Sequence, residues 1–176
     1  HPKLVDKESA IASGKYEEVV HCMEELLQAS HKALIFSSFV SHLALYEQWC
    51  DAHKIKYAKL TGSTPTEERK NEVALFQQQA DVPFFFISLK AGEVGLNLTA
   101  ASYVLPWWNP FSERQAIARA HRIGQRNKVN VVRFVSKDTV EEKIIRLQQA
   151  KTSLFEDVVG EDNFIREVID NIEELL

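Results

Sequence analysis

The chain has 176 residues, of which 45% are hydrophobic and 26% charged, so it is long enough for one globular domain with a buried core. Its formal net charge of −4 at pH 7 is not that of a nucleic-acid-binding surface as a whole, so such binding requires a local basic patch. The two cysteines cannot form a disulfide framework, Cys50 and His53 lack the further ligands of a zinc site, and no apolar run approaches the ~20 residues of a membrane-spanning helix.

Helical and strand patterns alternate along the chain. This alternation is typical of a mainly parallel β-sheet flanked by α-helices, so the predicted fold class is α/β. The predicted helices lie at about 14–29, 41–53, 65–79, 112–122, 139–158 and 163–176. The predicted strands lie at about 32–36, 55–60, 83–89, 102–105 and 129–135.

Three helix starts carry recognisable capping residues. Ser13 precedes the first helix, and Thr139 precedes the long helix that follows the last strand. Thr64 precedes Pro65, and Glu67 follows three residues after Thr64, which is the pattern of a capping box. We therefore expect all three hydroxyls to accept hydrogen bonds from the first free N–H groups of their helices.

A glycine-containing loop follows the apolar strand 83–89, whose nearly continuous hydrophobic run is typical of a strand buried on both faces. The loop and its flanks read SLKAGEVGLNLTAA at 88–101. Gly92 and Gly95 allow the backbone to approach a ligand closely. The spacing is not that of a dinucleotide fingerprint, because no long helix begins here, so a nicotinamide site is excluded.

Gln115, Arg119 and Arg122 lie at positions i, i+4 and i+7 of the predicted helix 112–122, which places their side chains on one helical face. Two guanidinium groups and an amide suit a triphosphate, because arginine keeps its charge and its planar fork binds phosphate oxygens bidentately. The alternative is a basic amphipathic helix whose charged face is solvated. The spacing alone does not decide between the two.

Three segments in a fixed order bear on that choice: SLKAGEVGLNLTAA at 88–101, PWWNP at 106–110 and QAIARAHRIGQ at 115–125. Together they resemble the Swi/Snf-type helicase-like ATPases, and specifically the C-terminal RecA-like lobe of that motor. The resemblance covers roughly residues 1–158, in which 139–158 would be a bracing helix. Residues 159–176 are predicted to form a C-terminal acidic helical extension.

The resemblance implies roles in ATP hydrolysis for five residues. Arg119 and Arg122 would act as arginine fingers that stabilise the transition state at the γ-phosphate. Gly95, Asn97 and Gln115 would contact the nucleotide.

The resemblance also implies contacts with double-stranded DNA. Ser38, Ser88 and Lys90 would face the phosphate backbone, and Trp108 would lie near the nucleic acid. From the residues alone, two alternatives stay open: Ser38 is equally suited to capping the helix that follows it, and a tryptophan such as Trp108 is more often a buried anchor. A loop that touches both DNA and nucleotide would couple the two sites.

Two parts of a complete ATPase site are missing from the sequence. It has no G-x-x-x-x-G-K-[ST] loop to hold phosphates and no acidic strand end to hold magnesium. ATP with Mg²⁺ would therefore be bound mainly by an N-terminal RecA-like lobe of the same chain, and this fragment alone would be inactive. We expect a fragment of a longer protein with no membrane partner, in the nucleoid-containing cytoplasm of a bacterium or the nucleus of a eukaryote.

Two features depart from the family pattern. The family usually has glycine where Glu93 stands, and a carboxylate there would weaken anion binding unless it points away or pairs with Lys90. The strand 102–105 runs straight into Pro106, which cannot donate to a ladder, so either this strand is truncated or a few residues are absent from the sequence. These departures keep two alternatives open: a catalytically degenerate DNA- or protein-binding lobe, and the lobe of a strand-separating helicase.

Overall fold

The structure is a computed structural model that describes residues 13–89, 91, 96–106, 117, 120, 128–139 and 141–147. A boundary between Phe134 and Val135 divides the chain into two compact units. Among the described residues, no helix is long and apolar enough to cross a membrane. The same residues contain no group of three acidic, histidine or cysteine side chains that could hold a metal ion.

The first unit contains one sheet of five parallel strands in the order β2-β3-β1-β4-β5. The strands are β1 (Ala33–Ser37), β2 (Tyr57–Leu60), β3 (Phe84–Ser88), β4 (Tyr103–Pro106) and β5 (Asn130–Val131). The described helices of this unit are α1 (Gly14–Gln28), α2 (Val40–Ala52) and α3 (Thr66–Gln78). The predicted α/β class, a mainly parallel sheet flanked by helices, is confirmed.

The two faces of the sheet are buried under different elements. Alternate strand residues point to opposite sides, so each strand contributes to both faces. The α1–α2 face is covered by the buried sides of α1 and α2, and its strand residues are Ala33, Ile35, Phe84, Phe86 and Leu105. The α3 face is covered by α3 and the segment 96–101, and its strand residues include Leu34, Phe36, Phe85, Ile87 and Val104.

The helix starts agree with the sequence in one case and differ in another. The Ser13 hydroxyl accepts a hydrogen bond from the N–H of Tyr16 at 3.4 Å, so its predicted capping role is confirmed. Thr64 is not a cap, because α3 begins after Pro65 without a side-chain bond to its first N–H groups. The Thr64 hydroxyl instead accepts from the N–H of Thr61 at 3.0 Å, which closes the turn after β2.

The strand before Pro106 occupies a central position although it is short. β4 pairs with β1 on one side and with β5 on the other, and Pro106 is its last residue. β5 has two residues, so the strand predicted at 129–135 is too long. The N–H of Val132 donates to the carbonyl of Val104 at 3.0 Å. The next donor from β4 in this ladder would be the N–H of residue 106, but this residue is proline and has no N–H.

In the second unit, the predicted capping role of Thr139 is confirmed. Its hydroxyl accepts from the N–H of Glu141 at 3.3 Å and donates to the carbonyl of Ser136 at 2.7 Å. Residues 141–147 are helical. The division predicted after residue 158 falls outside the described residues and stays a prediction.

Candidate functional site

Hydroxyl side chains gather at the carboxyl edge of the sheet. Ser37 at the end of β1 lies opposite Ser88 at the end of β3, and Leu60 at the end of β2 lies opposite Ile87. Ser38 therefore leaves the sheet beside the start of the loop 89–101. In open α/β sheets, ligands bind beyond this edge, so the geometry favours the same edge that the sequence indicates.

The two serines after β1 have different surroundings. Ser37 is fully buried, and its hydroxyl accepts a hydrogen bond from the N–H of Phe39 at 3.1 Å. Ser38 is exposed. It does not cap α2, because the cap position is Phe39 and carries no side-chain bond. Of the two roles that the sequence left open for Ser38, contact with a ligand phosphate is the one that stays a prediction.

Ser88 lies at the same edge but is buried, with 4% of its surface exposed. Its hydroxyl has no hydrogen-bond partner within the part of the chain that the structure describes. Leaving a buried hydroxyl unpaired costs about 1–3 kcal/mol. Within the described ranges, this strand end therefore carries a buried polar group without a hydrogen-bond partner.

The turn after β2 is stabilised by its own hydroxyls. The Thr61 hydroxyl lies 2.9 Å from that of Ser63, and the Arg69 side chain donates through Nε to the Thr64 carbonyl at 3.0 Å. Arg69 therefore has a structural role in this turn. The turn is thus fixed to the first turn of α3.

The segment 96–100 carries Asn97, the one predicted nucleotide contact among the described residues. Asn97 is exposed, whereas the neighbouring Leu98 is fully buried in the α3 face. Gln77 on α3 bonds to this segment with both ends of its side-chain amide. Nε2 donates to the carbonyl of Asn97 at 3.1 Å and to the hydroxyl of Thr99 at 3.3 Å, and Oε1 accepts from the N–H of Ala100 at 2.7 Å.

A small apolar cavity lies on the α1–α2 face near the ends of β1 and β4. Its lining includes His42 and Tyr46 of α2, whose Nε2 and hydroxyl are 3.2 Å apart. Burial, together with the positive charge of Lys15, lowers the pKa of His42 to about 4. His42 is therefore neutral at pH 7, and the cavity is suited to packing rather than to acid–base chemistry.

Burial also lowers the reactivity of the thiol on this face. It raises the pKa of Cys50 to about 12, with smaller contributions from the charges of Asp51 and Glu47. Because the thiolate is the nucleophile, Cys50 is unreactive at neutral pH.

Six of the nine predicted site residues lie outside the described residues. These are Lys90, Gly95, Trp108, Gln115, Arg119 and Arg122. Glu93 lies outside them as well. Of the remaining three, Ser38 and Ser88 are brought to one edge of the sheet, and Asn97 is in the segment that leads back to β4.

Sequence reasoning missed Gln77. It stands in a run of three glutamines, 77–79, and the sequence does not indicate which of the three faces the sheet. It also missed Lys32, whose ammonium donates to the carbonyls of Phe76 and Gln79 at the end of α3. Both contacts depend on tertiary proximity, so no local pattern could have identified them.

Comparisons with known proteins agree with this geometry. The family profile described as the helicase conserved C-terminal domain matches residues 14–124. An uncharacterised ATP-dependent helicase of Schizosaccharomyces pombe is 41% identical over 170 residues, which is 94% of this chain and 16% of that protein. The chromatin-remodeling ATPase INO80 of Homo sapiens is 36% identical over 166 residues, which is 92% of this chain and 11% of that protein.

Two solved structures are similar in fold and sequence. The C-terminal part of the Fun30 ATPase domain has a TM-score of 0.71 and 36% identity, covering 77% of this chain and 45% of that one. The SWI2/SNF2 ATPase core domain of Sulfolobus solfataricus has a TM-score of 0.74 and 32% identity, and the match covers 90% of this chain and 33% of that one. The chain thus spans less than a fifth of the length of the curated relatives named above.

Proposed function

Because the chain belongs to the Swi/Snf-type helicase-like ATPases, as their C-terminal RecA-like lobe, we propose that it is the second lobe of an ATP-dependent double-stranded DNA translocase. In this proposal ATP binds in a cleft between this lobe and an N-terminal RecA-like lobe of the parent chain. The N-terminal lobe would hold most of the nucleotide and the Mg²⁺, so the present chain alone would be inactive.

The observation that carries the proposal is the register of β1 and β3. Ser37 lies opposite Ser88, so the two segments predicted to contact DNA phosphate leave the sheet side by side. The exposed Ser38 is then available to a phosphate at this edge. The Ser88 hydroxyl supports the same assignment: it has no hydrogen-bond partner among the described residues, and a phosphate or water arriving here would supply one.

The catalytic part of the proposal rests on Arg119 and Arg122 as arginine fingers, with Gln115 and Gly95 at the nucleotide. Ala120 is fully buried in the α3 face. At helical spacing, we expect the positions of Gln115, Arg119 and Arg122 to fall on the side of the helix away from Ala120. ATP binding would close the cleft, hydrolysis would reopen it, and each cycle would shift the two lobes along the duplex.

The remaining assignments follow from the same proposal. Lys90 and Trp108 would extend the DNA track, and double-stranded DNA and the N-terminal lobe would be the partners. Location would follow the source organism, as nuclear in a eukaryote and nucleoid-associated in a bacterium.

The test is ATP hydrolysis by the full parent chain, with and without duplex DNA, in the wild type, Arg122→Ala and Arg114→Ala. Arg114 is the matched control, because it lies in the same predicted helix, 112–122, but outside the i, i+4, i+7 set. We expect DNA to stimulate the wild type and the control, and Arg122→Ala to lose about 10³-fold in rate.

Other outcomes would redirect the assignment. Stimulation that survives Arg122→Ala would move the catalytic charge elsewhere, with Arg119 tested next. DNA binding without hydrolysis in the wild type would favour a degenerate binding lobe. Displacement of a DNA strand by the wild type would favour a strand-separating helicase.

A further inference from the structure

The last turn of α3 is held firmly against the rest of the first unit. The ring of Phe76 is fully buried and lies 5.3 Å from the ring of Phe85 in β3. The ammonium group of Lys32, just before β1, donates to the carbonyl of Phe76 and to that of Gln79 at 2.5 Å. The carbonyl of Phe76 is among those that a helix leaves without partners at its C-terminus, and the carbonyl of Gln79 just after the helix also accepts from the N–H of Val82, so Lys32 fixes this end of the helix.

Gln77 extends from that fixed turn to the segment 96–100. Its three hydrogen bonds reach residues 20 to 23 positions away in sequence, at the carbonyl of Asn97, the hydroxyl of Thr99 and the N–H of Ala100. One side chain thus satisfies backbone groups on both sides of Thr99. Because a loop carries polar backbone groups that need partners, such a side chain determines the conformation of the segment.

The segment held in this way presents Asn97 outward. Leu98 is fully buried in the α3 face and is bracketed by the contacts of Gln77 to Asn97 and Thr99. The side chain of Asn97 is exposed and makes no hydrogen bond to any described residue. The backbone of Asn97 is therefore anchored, while its amide side chain is available to a ligand.

We infer that Gln77 is a positioning residue for ATP: it fixes the backbone of 97–100 so that Asn97 is presented to the nucleotide. The inference rests on the proposed role of Asn97 as a nucleotide contact. Gln77 itself does not touch the ligand. It acts as a brace between a helix end fixed by packing and a segment that has no regular secondary structure.

The chemistry of the contacts dictates the variants. Gln77→Ala removes all three hydrogen bonds. Gln77→Glu keeps the size and the acceptor for the N–H of Ala100, but replaces the donor with an oxygen that repels the carbonyl of Asn97. Gln78→Ala is the matched control, because Gln78 is the next residue on α3, of the same type, and exposed.

A fourth variant separates positioning from loss of stability. Val73 lies on α3 and is partly buried against the same cluster, but among the described contacts it does not bond to 97–100. Val73→Ala therefore destabilises the helix packing without removing the brace. Any effect common to Val73→Ala and Gln77→Ala reflects stability alone.

The experiment measures KM for ATP, kcat with saturating duplex DNA, the Kd for duplex DNA and the urea midpoint, all in the full parent chain. We expect Gln77→Ala and Gln77→Glu to raise KM for ATP about 10-fold, which corresponds to about 1.4 kcal/mol. The Kd for DNA should change less than about twofold, since no DNA contact is altered. Hydrogen exchange at Ala100 should accelerate in Gln77→Ala and not in Gln78→Ala.

The failures are distinguishable. If the wild type hydrolyses ATP and KM in Gln77→Ala matches that in Gln78→Ala or Val73→Ala, the positioning role is wrong and the proposed function stands. If the wild-type parent chain neither binds nor hydrolyses ATP, the proposed function is wrong and the inference falls with it.

Discussion

The two faces of the sheet are buried by different means. On the α1–α2 face, two helices supply most of the buried side chains, and contact is made chiefly by apolar packing. On the α3 face, the buried side chains include Phe76 of α3, Leu98 and Ala101 of the irregular segment 96–101, and Ala120. That segment is held by directed hydrogen bonds from Gln77, and the end of α3 by those from Lys32.

This difference in contacts predicts that mutations on the two faces have different effects. Apolar burial is non-directional and large in total, so it supplies most of the folding free energy. A hydrogen bond adds only about 0.5–1.5 kcal/mol net, but it fixes a distance and a direction. We therefore expect changes on the α1–α2 face to act on stability, and changes at the last turn of α3, beside Gln77, and at 96–100 to act on the nucleotide as well.

The largest expected effect comes from two adjacent phenylalanines of β3 that point to opposite faces. The ring centroids of Phe85 and Phe76 lie 5.3 Å apart on the α3 face. Those of Phe86 and Tyr57 lie 5.3 Å apart on the α1–α2 face. Both are fully buried. Phe85→Ala and Phe86→Ala should each lower the free energy of unfolding by about 3–5 kcal/mol, measured by urea denaturation.

The leucine variants of the same pair test the comparison. Phe85→Leu and Phe86→Leu should each cost less than about 1.5 kcal/mol and leave the parent chain folded. Only Phe85→Leu should raise KM for ATP, because it loosens the packing of Phe76 beside Gln77. Equal KM values in the two variants would contradict a functional difference between the faces.

The predictable part of the fold is the part that local patterns determine. The boundaries of every element up to β4 lie within two residues of those expected from the apolar runs and helical periodicity. That the ends of β1 and β3 meet is shown only by the strand register, in which Ser37 lies opposite Ser88. Buried strands such as PFFFISL at 83–89 leave little choice, since only a doubly covered strand accepts so many apolar residues.

The unpredicted part depends on tertiary register. β5 ends early because Pro106 stands where the ladder needs its next donor, which only the pairing with β4 reveals. Thr64 was expected to cap α3, but its hydroxyl instead accepts a hydrogen bond from the N–H of Thr61 in the turn after β2. Gln77 and Gln78 are identical in sequence terms, and only the packing of α3 decides which one meets the segment 96–100.

The stability of the first unit should depend on pH through His42 on the α1–α2 face. Its folded pKa of about 4 lies below the value of about 6.5 for an unfolded histidine. Between these two values the unfolded chain binds more protons, so stability rises with pH across this window. The contribution should be complete above pH 6.5 and lost as pH falls to 4, by about 3 kcal/mol.

The control for this prediction is His42→Gln, which keeps a polar side chain but cannot titrate. Urea denaturation at pH 4.5 and at pH 7 should show a smaller difference in unfolding free energy for this variant than for the wild type. The same pH dependence in both would mean that other groups, such as the carboxylates of the surface, dominate in this window.

The smallest expected effect comes from a polar contact on the α1–α2 face, and it tests whether the loss of any polar contact, or only of one that holds 97–100, raises KM for ATP. Lys59 of β2 forms an ion pair with Glu47 of α2 at 2.6 Å, with side chains 39% and 10% exposed. This is a polar contact on the α1–α2 face, and the second carboxylate oxygen of Glu47 has no partner among the described residues. Lys59→Met leaves the carboxylate without its cation, which should cost about 2 kcal/mol, allowing for the exposure of Lys59.

The double variant Lys59→Met, Glu47→Gln should recover most of that loss, because it removes the uncompensated charge as well as the pair. Neither variant should change KM for ATP, in contrast to Gln77→Ala. Both sites consist of side-chain polar contacts, so polarity is matched and only the element that they hold differs. A rise in KM for Lys59→Met comparable to that for Gln77→Ala would mean that general loosening of the lobe, not the position of 97–100, governs nucleotide binding.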